Sequence, residues 1–262
     1  MDETENSVGG LTGTPPAPKL FAMNARLLAV CGWIAASPAL AAGPTVVELF
    51  TSQSCYSCPP AEAFLGELAD RADVIALELH VDYWDELVYG AAGKWKDPFS
   101  SAAHTHRQRD YNVAIKGAAN VYTPQMVIDG RVEAIGSSRA DVLREITRAA
   151  AAPQPRLGVD LAWRPKGDLS IELSGASQPA AVWLVTFLDR RSTVVRAGEN
   201  RGKTLVNRRV VMAAEPVGEW TGTARTFEVP VTLADGEGCA VIVQSRAAGP
   251  VLGAAVCPKA GS

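Results

Sequence analysis

The stretch Thr51-Ser-Gln-Ser-Cys55-Tyr-Ser-Cys58-Pro-Pro60 limits the fold of this chain more than any other. The apolar run Thr45-Val-Val-Glu-Leu-Phe50 precedes it and reads as a buried strand. After it, Ala61-Glu-Ala-Phe-Leu-Gly-Glu-Leu-Ala69 carries Phe64, Leu65 and Leu68 at helical spacing. This order of strand, short loop, cysteine pair and helix places Cys55 at or just before a helix N-terminus. Unpaired N–H groups and the positive end of the helix dipole favour an anion there, so a thiolate is stabilised. The pattern points to redox chemistry on sulfur, and two plainer uses compete with it. One is half of a zinc site, although His80, His104 and His106 form no finger pattern with Cys239 or Cys257. The other is an inert disulfide, which gains little from closing so short a loop.

The chain has 262 residues, 47% of them hydrophobic, enough for one large or two modest domains. A net charge of -3 and a pI near 5.7 give no basic footprint for nucleic acid. Residues 1–42 read as a disordered N-terminus and signal peptide rather than as part of a fold. The first 19 are polar and rich in Gly, Pro and Thr. Then Arg26, the apolar run 27–36 and Ser37-Pro-Ala39-Leu-Ala41-Ala42 describe a secretory signal, with Met23 as a plausible start. The apolar run is too short to span a bilayer, and an uncleaved anchor is the alternative. Cleavage after Ala41 or Ala42 predicts a periplasmic or secreted protein with no stable membrane span. It also removes Cys31 and leaves four cysteines, among which Cys239 and Cys257 are expected to pair as a structural disulfide.

Residues 73–79 read as a second buried strand, parallel to the first because a helix connects them. His80, Asp82 and Trp84 gather at its C-terminal end, where ligands collect beside such strands. His80 and Asp82 share a face, and His80 is a candidate for proton transfer or, with Cys55 and Cys58, for a soft metal; a hydrogen-bonded core histidine is the alternative. Trp84 and Trp95 either form a lip for a ligand or pack in the core. His104 and His106 diverge on a predicted helix over 101–111, which disfavours a shared metal. Strands 125–128 and 131–135 flank Asp129-Gly130, a hairpin signal, and Pro124 opens the first of them, a position that accepts a cis bond. Ser138 caps a helix reaching residue 152. Beyond Pro153-Gln-Pro155, about seven alternating runs separated by turn signals predict a sandwich-like all-β domain over 155–262. Within it Glu199-Asn200-Arg201-Gly202 lies on a polar loop, either reaching toward the first half or serving as a plain hairpin tip.

The order of elements over 44–152, with the cysteine pair at the first helix and Thr123-Pro124 before the third strand, resembles the thioredoxin fold. Glu48-Leu-Phe-Thr-Ser-Gln-Ser-Cys55-Tyr-Ser-Cys58-Pro-Pro, His80-Val-Asp-Tyr-Trp-Asp85, Trp95-Lys-Asp-Pro-Phe99, Tyr122-Thr-Pro-Gln-Met-Val-Ile-Asp-Gly130 and Gly198-Glu-Asn-Arg-Gly-Lys-Thr-Leu205 resemble more closely a secreted bacterial thioredoxin-like family, the domain of unknown function 1223. That resemblance implies an α/β thioredoxin-like domain over 43–152 followed by the β-sandwich-like domain. It gives Cys55 the attacking role, as the more exposed thiol, and Cys58 the resolving role. Thr123 and Pro124 would face the pair, with the Thr123 backbone offering strand-like bonds to a peptide. The buried acid of thioredoxins falls at Leu49 here, so Glu48 is the nearest candidate. The expected activity is thiol/disulfide exchange with protein thiols or disulfides in the periplasm, without a cofactor. A copper-binding module using Cys55, Cys58 and His80, or a non-catalytic interaction module, is the alternative.

Overall fold

Two neighbouring parallel strands are buried along their whole length, and the rest of the chain supplies their cover. The computed structural model describes residues 43–88, 90–152, 156–165, 167–175, 178–246 and 248–259, together with 10, 13 and 14. The expected signal peptide, Cys31 and the Pro153-Gln-Pro155 linker lie outside them. In chain order the elements are β1 (Thr45–Thr51), α1 (Pro59–Leu68), β2 (Val74–His80), α2 (Ala102–Lys116), β3 (Gln125–Ile128), β4 (Val132–Ile135) and α3 (Arg139–Ala150). Then come β5 (Gly158–Trp163), β6 (Asp168–Ser174), β7 (Ala180–Val194), β8 (Thr204–Trp220), β9 (Arg225–Pro230), β10 (Glu237–Gln244) and β11 (Val251–Val256).

Alternation along β1 and β2 sorts their side chains between two cores. Val47, Leu49, Val74 and Ala76 meet Phe64, Leu65 and Leu68 of α1 and Val142 and Ile146 of α3. Val46, Phe50, Ile75, Leu77 and Leu79 meet Tyr111 of α2 on the opposite side, together with Val185, Phe187 and Ile242 from the second half. The two strands pair in parallel with Thr51 opposite His80, so their carboxyl ends finish side by side.

The expected α/β thioredoxin-like domain followed by a separate sandwich is not what the chain builds. The described fold is mostly β, with three α-helices among the described residues and one mixed sheet of eight strands in the order β11-β10-β7-β8-β2-β1-β3-β4. A second sheet, β5-β6-β9, has three strands. The physical reason is the free edge of β2: β8 joins it in parallel at Glu78 and Val210, so strands from both halves share one hydrogen-bonded layer. The 17 residues of β8 and 15 of β7 form a long antiparallel ribbon whose far end extends beyond this junction to the carboxyl ends of β1 and β2. A third core, with Leu169, Ile171, Val182, Leu184, Trp220 and Val241, fills the space between the two sheets. No helix among the described residues is long and apolar enough to cross a membrane.

Cys239 on β10 and Cys257 just past β11 form a disulfide with their Cα atoms 5.3 Å apart. It closes a loop of 18 residues. Replacing both by alanine is expected to lower the unfolding free energy by about 3 kcal/mol through the larger entropy of the unfolded chain. Urea denaturation of the double variant checks this; an unchanged midpoint would refute it.

Candidate functional site

The cysteine loop leaves the carboxyl end of β1 and turns directly into α1. Cys55 N–H donates to the Ser52 carbonyl at 3.0 Å and Cys58 N–H to the Cys55 carbonyl at 3.2 Å, two tight turns that bring the sulfurs together. The two are joined as a disulfide. Cys58 is the N-cap of α1, its carbonyl accepting from Ala61 and Glu62 at 2.9 and 3.1 Å. Pro59 and Pro60 occupy helical positions whose N–H groups need no helical partner. Cys55 Sγ lies 3.3 Å from Ser57 Oγ.

Both cysteines are fully buried, which corrects the expectation that Cys55 is open to a partner. Tyr56 and Ser57 between them are exposed. The reason lies far along the chain, in the tip of the β7–β8 hairpin. The Asn200 carboxamide donates to the carbonyls of Gln53 and Cys55 at 2.9 and 2.8 Å. Tyr56 N–H donates to Glu199 Oε2 at 2.8 Å. Lys203 Nζ stands 4.4 Å from the Tyr56 ring centroid and donates to Asn200 Oδ1 at 2.8 Å. Of the two uses foreseen for residues 199–202, reaching the first half is the one observed.

On the α1 side of the sheet lies a buried polar network. Glu78 and His80 follow Val74 and Ala76 at even spacing, so they point to the same side as α1. Glu62, in the first turn of α1, accepts from Thr51 Oγ1 at 2.7 Å. His80 Nδ1 is 2.7 Å from Asp97 Oδ2, and Nε2 is 3.3 Å from Glu78 Oε1, an ion pair without hydrogen-bond alignment. Asp97 also accepts from Gln53 N–H at 2.7 Å, and Asn207 bridges Gln53 Nε2 to Glu78 at 3.1 and 2.7 Å. The cysteine loop is thereby tied to His80 through Gln53 and Asp97.

The charges within this network follow from burial and proximity. Burial, reinforced by the Glu78 charge, pushes the Glu62 carboxyl up to about 8, so it is neutral near neutral pH. Burial by itself would lower the pKa of His80, but Asp97 and Glu78 outweigh it and hold the ring as imidazolium. Burial opposes ionisation of Asp97 as well, and the His80 charge more than offsets it.

The other residues singled out by sequence are placed as follows. Glu48 is not beneath the disulfide: strand alternation sets it with Val46 and Phe50 on the α2 side. There it receives Arg107 Nε at 2.6 Å and the Tyr111 hydroxyl. Asp82 accepts from Thr105 Oγ1 at 2.6 Å, and Trp84 Nε1 donates to Thr123 Oγ1 at 2.8 Å. Trp95 Nε1 is 3.3 Å from Gln53 Oε1. The Thr123–Pro124 bond is cis. A Cβ at Gly136 would meet Ala61, Leu49 and Pro124 at 3.1, 3.1 and 3.2 Å, which puts Pro124 next to the first turn of α1. The Cys55 and Cys58 sulfurs bond each other, and both His80 ring nitrogens face carboxylates. Among the described residues no group of three or more His, Cys, Asp or Glu is placed to hold a metal.

Sequence reasoning missed Gln53, Glu62, Glu78, Asp97 and Asn207. Two of these carried a signal. Glu62 stands four residues after Cys58, one helical turn on, and Glu78 stands two before His80 on the same strand face. Asp97 stands in the Trp95–Phe99 block, but nothing in the sequence pairs it with His80 or Asn207 with Glu78; only the folded chain does so.

A disulfide at the head of a helix, set beside a buried carboxyl and imidazolium network, characterises a β-rich, disulfide-bearing protein. The chain belongs to the family described as protein of unknown function (DUF1223), whose model matches residues 46–244. Among solved structures, the X-ray structure of protein AGR_C_4864 from Agrobacterium tumefaciens is similar, with 28% identity and a TM-score of 0.72. The match covers 84% of this chain and 96% of that one. No curated protein matches the chain.

Proposed function

We propose that the chain is a thiol/disulfide oxidoreductase of an exported compartment, acting on protein thiols or disulfides through Cys55 and Cys58. The observation that carries this reading is the Cys55–Cys58 disulfide at the first turn of α1, with the buried Glu62, its carboxyl pushed up to about 8 by burial and the Glu78 charge, four residues beyond Cys58. A partner thiolate attacks Cys55 Sγ, and the bonding electron pair leaves on Cys58 Sγ, which takes a proton from the Glu62 carboxyl. A second partner thiolate then attacks the partner sulfur of the mixed disulfide and releases Cys55 as a thiolate, which is protonated from solvent. The partner dithiol has become a disulfide and the pair a dithiol; the same steps run backwards when the partner is the oxidant. Pro124 lies next to the first turn of α1, which supports a role for Thr123 and Pro124 at the border of the space for the partner sulfur. Export rests on the signal-like segment 23–42 and on two disulfides that an oxidising compartment preserves.

Equilibration with glutathione buffers, followed by alkylation and mass analysis, reads the two disulfides separately. We expect Cys55–Cys58 to become half reduced at a potential above about -300 mV, while Cys239–Cys257 stays oxidised. We also expect Cys58→Ser to accumulate covalent complexes with exported proteins. If both disulfides resist reduction equally and no complex forms, the reading fails.

A further inference from the structure

We propose that the tip of the β7–β8 hairpin, residues 195–203, is a displaceable cover standing where an extended segment of a substrate polypeptide binds. This rests on the thiol/disulfide reading of the same site. The hydrogen bonds from the tip to the cysteine loop reach main-chain groups, the carbonyls of Gln53 and Cys55 and the N–H of Tyr56, and Lys203 stands over the Tyr56 ring. The tip engages those main-chain groups with side chains whose chemistry imitates a peptide, since the Asn200 carboxamide donates as a backbone amide would and the Glu199 carboxylate accepts as a carbonyl would. A polypeptide lying along the cysteine loop offers the same donors and acceptor. A dithiol without peptide groups offers no run of amide donors and carbonyl acceptors along the loop, so it replaces these contacts less well.

The tip is also built to come away. Asn200 is fully buried, but Arg196, Glu199, Arg201, Gly202 and Lys203 around it are exposed. Val195 is its one buried apolar side chain, so little hydrophobic area holds it down. Gly198, at φ +74°, turns the chain tightly against Trp95 and Ser54, where a notional Cβ would lie 3.1 and 3.5 Å from them. The consequence is that Asn200 sets access to a disulfide that is otherwise sealed.

The test is native-state reduction followed by alkylation and mass analysis of each disulfide. With dithiothreitol, one thiolate attacks Cys55 Sγ and Cys58 Sγ leaves with the electron pair. The second thiol of the reagent then closes a ring with the first and releases Cys55. Asn200→Ala is expected to speed reduction of Cys55–Cys58 about tenfold, and Glu199→Ala a few-fold, with the Cys239–Cys257 rate unchanged in both. Equal rates in the wild type and the variants, or a parallel rise at Cys239–Cys257, would overturn the cover. Should Asn200→Ala fail to fold, the exposed Glu199 variant decides. At equal thiolate concentration, a short dithiol peptide is expected to reduce the wild type faster than dithiothreitol does, and Asn200→Ala to erase that advantage. Equal wild-type rates with the two reductants would remove the polypeptide assignment. A pair that never equilibrates with glutathione but still opens faster in the tip variants would retain the cover and discard the oxidoreductase reading.

Discussion

Replacing His80 by alanine is expected to lower the unfolding free energy by about 3 to 5 kcal/mol, the cost of leaving buried charge without its counterion. The imidazolium is the cation between Asp97 and Glu78, and all three side chains are fully or nearly fully buried. Without it, two carboxylates and the Glu62 carboxyl face one another in a site that excludes water. The loss should reach the cysteine loop as well, because Asp97 holds the Gln53 N–H. Urea denaturation measures the cost, and a change below about 1 kcal/mol would mean that the three groups do not carry the charges assigned to them.

Glu62→Gln is expected to reshape the pH dependence of stability. The native carboxyl keeps its proton up to about pH 8, whereas the unfolded one loses it near 4.5. Between those values the native state binds more protons, so stability falls as pH rises. The loss across that window is on the order of 4 kcal/mol. His80 acts in the same direction. Its raised pKa contributes stability that is complete below 6.5 and lost as pH climbs through the higher native value. Asp97 opposes both at the acid end, because its depressed pKa contributes stability that is present above 3.8 and lost as pH falls below it. Maximum stability is therefore expected in mildly acidic solution. Glutamine keeps an oxygen for Thr51 but cannot ionise, so the slope between about pH 5 and 8 should flatten. An identical slope in the variant and the wild type would refute the assignment of a neutral Glu62.

Near the disulfide, local patterns and folded structure divide the work along a visible line. The apolar run ending at Phe50, the two cysteines and the spacing of Phe64, Leu65 and Leu68 place a sulfur pair at a helix start, as the structure has it. The Asp129-Gly130 turn likewise sits between two antiparallel strands. Both patterns join neighbouring elements of the chain, where backbone preference and apolar period act directly. Glu48 shows where that reach ends. The acid was visible, but the face of β1 turned toward α1 depends on strand pairing and helix packing, and it put Glu48 against Arg107 instead.

What the chain carries in its local order is a strand, a turn with two sulfurs and a helix, because those follow from side-chain period and turn chemistry alone. Only the assembled fold decided that β8 would complete the edge of β2, that Asp97 and Glu78 would enclose His80, and that Asn200 would seal a loop 145 residues away. Those contacts are selected by burying apolar area and satisfying main-chain groups over the whole sheet, and no neighbouring residue announces them.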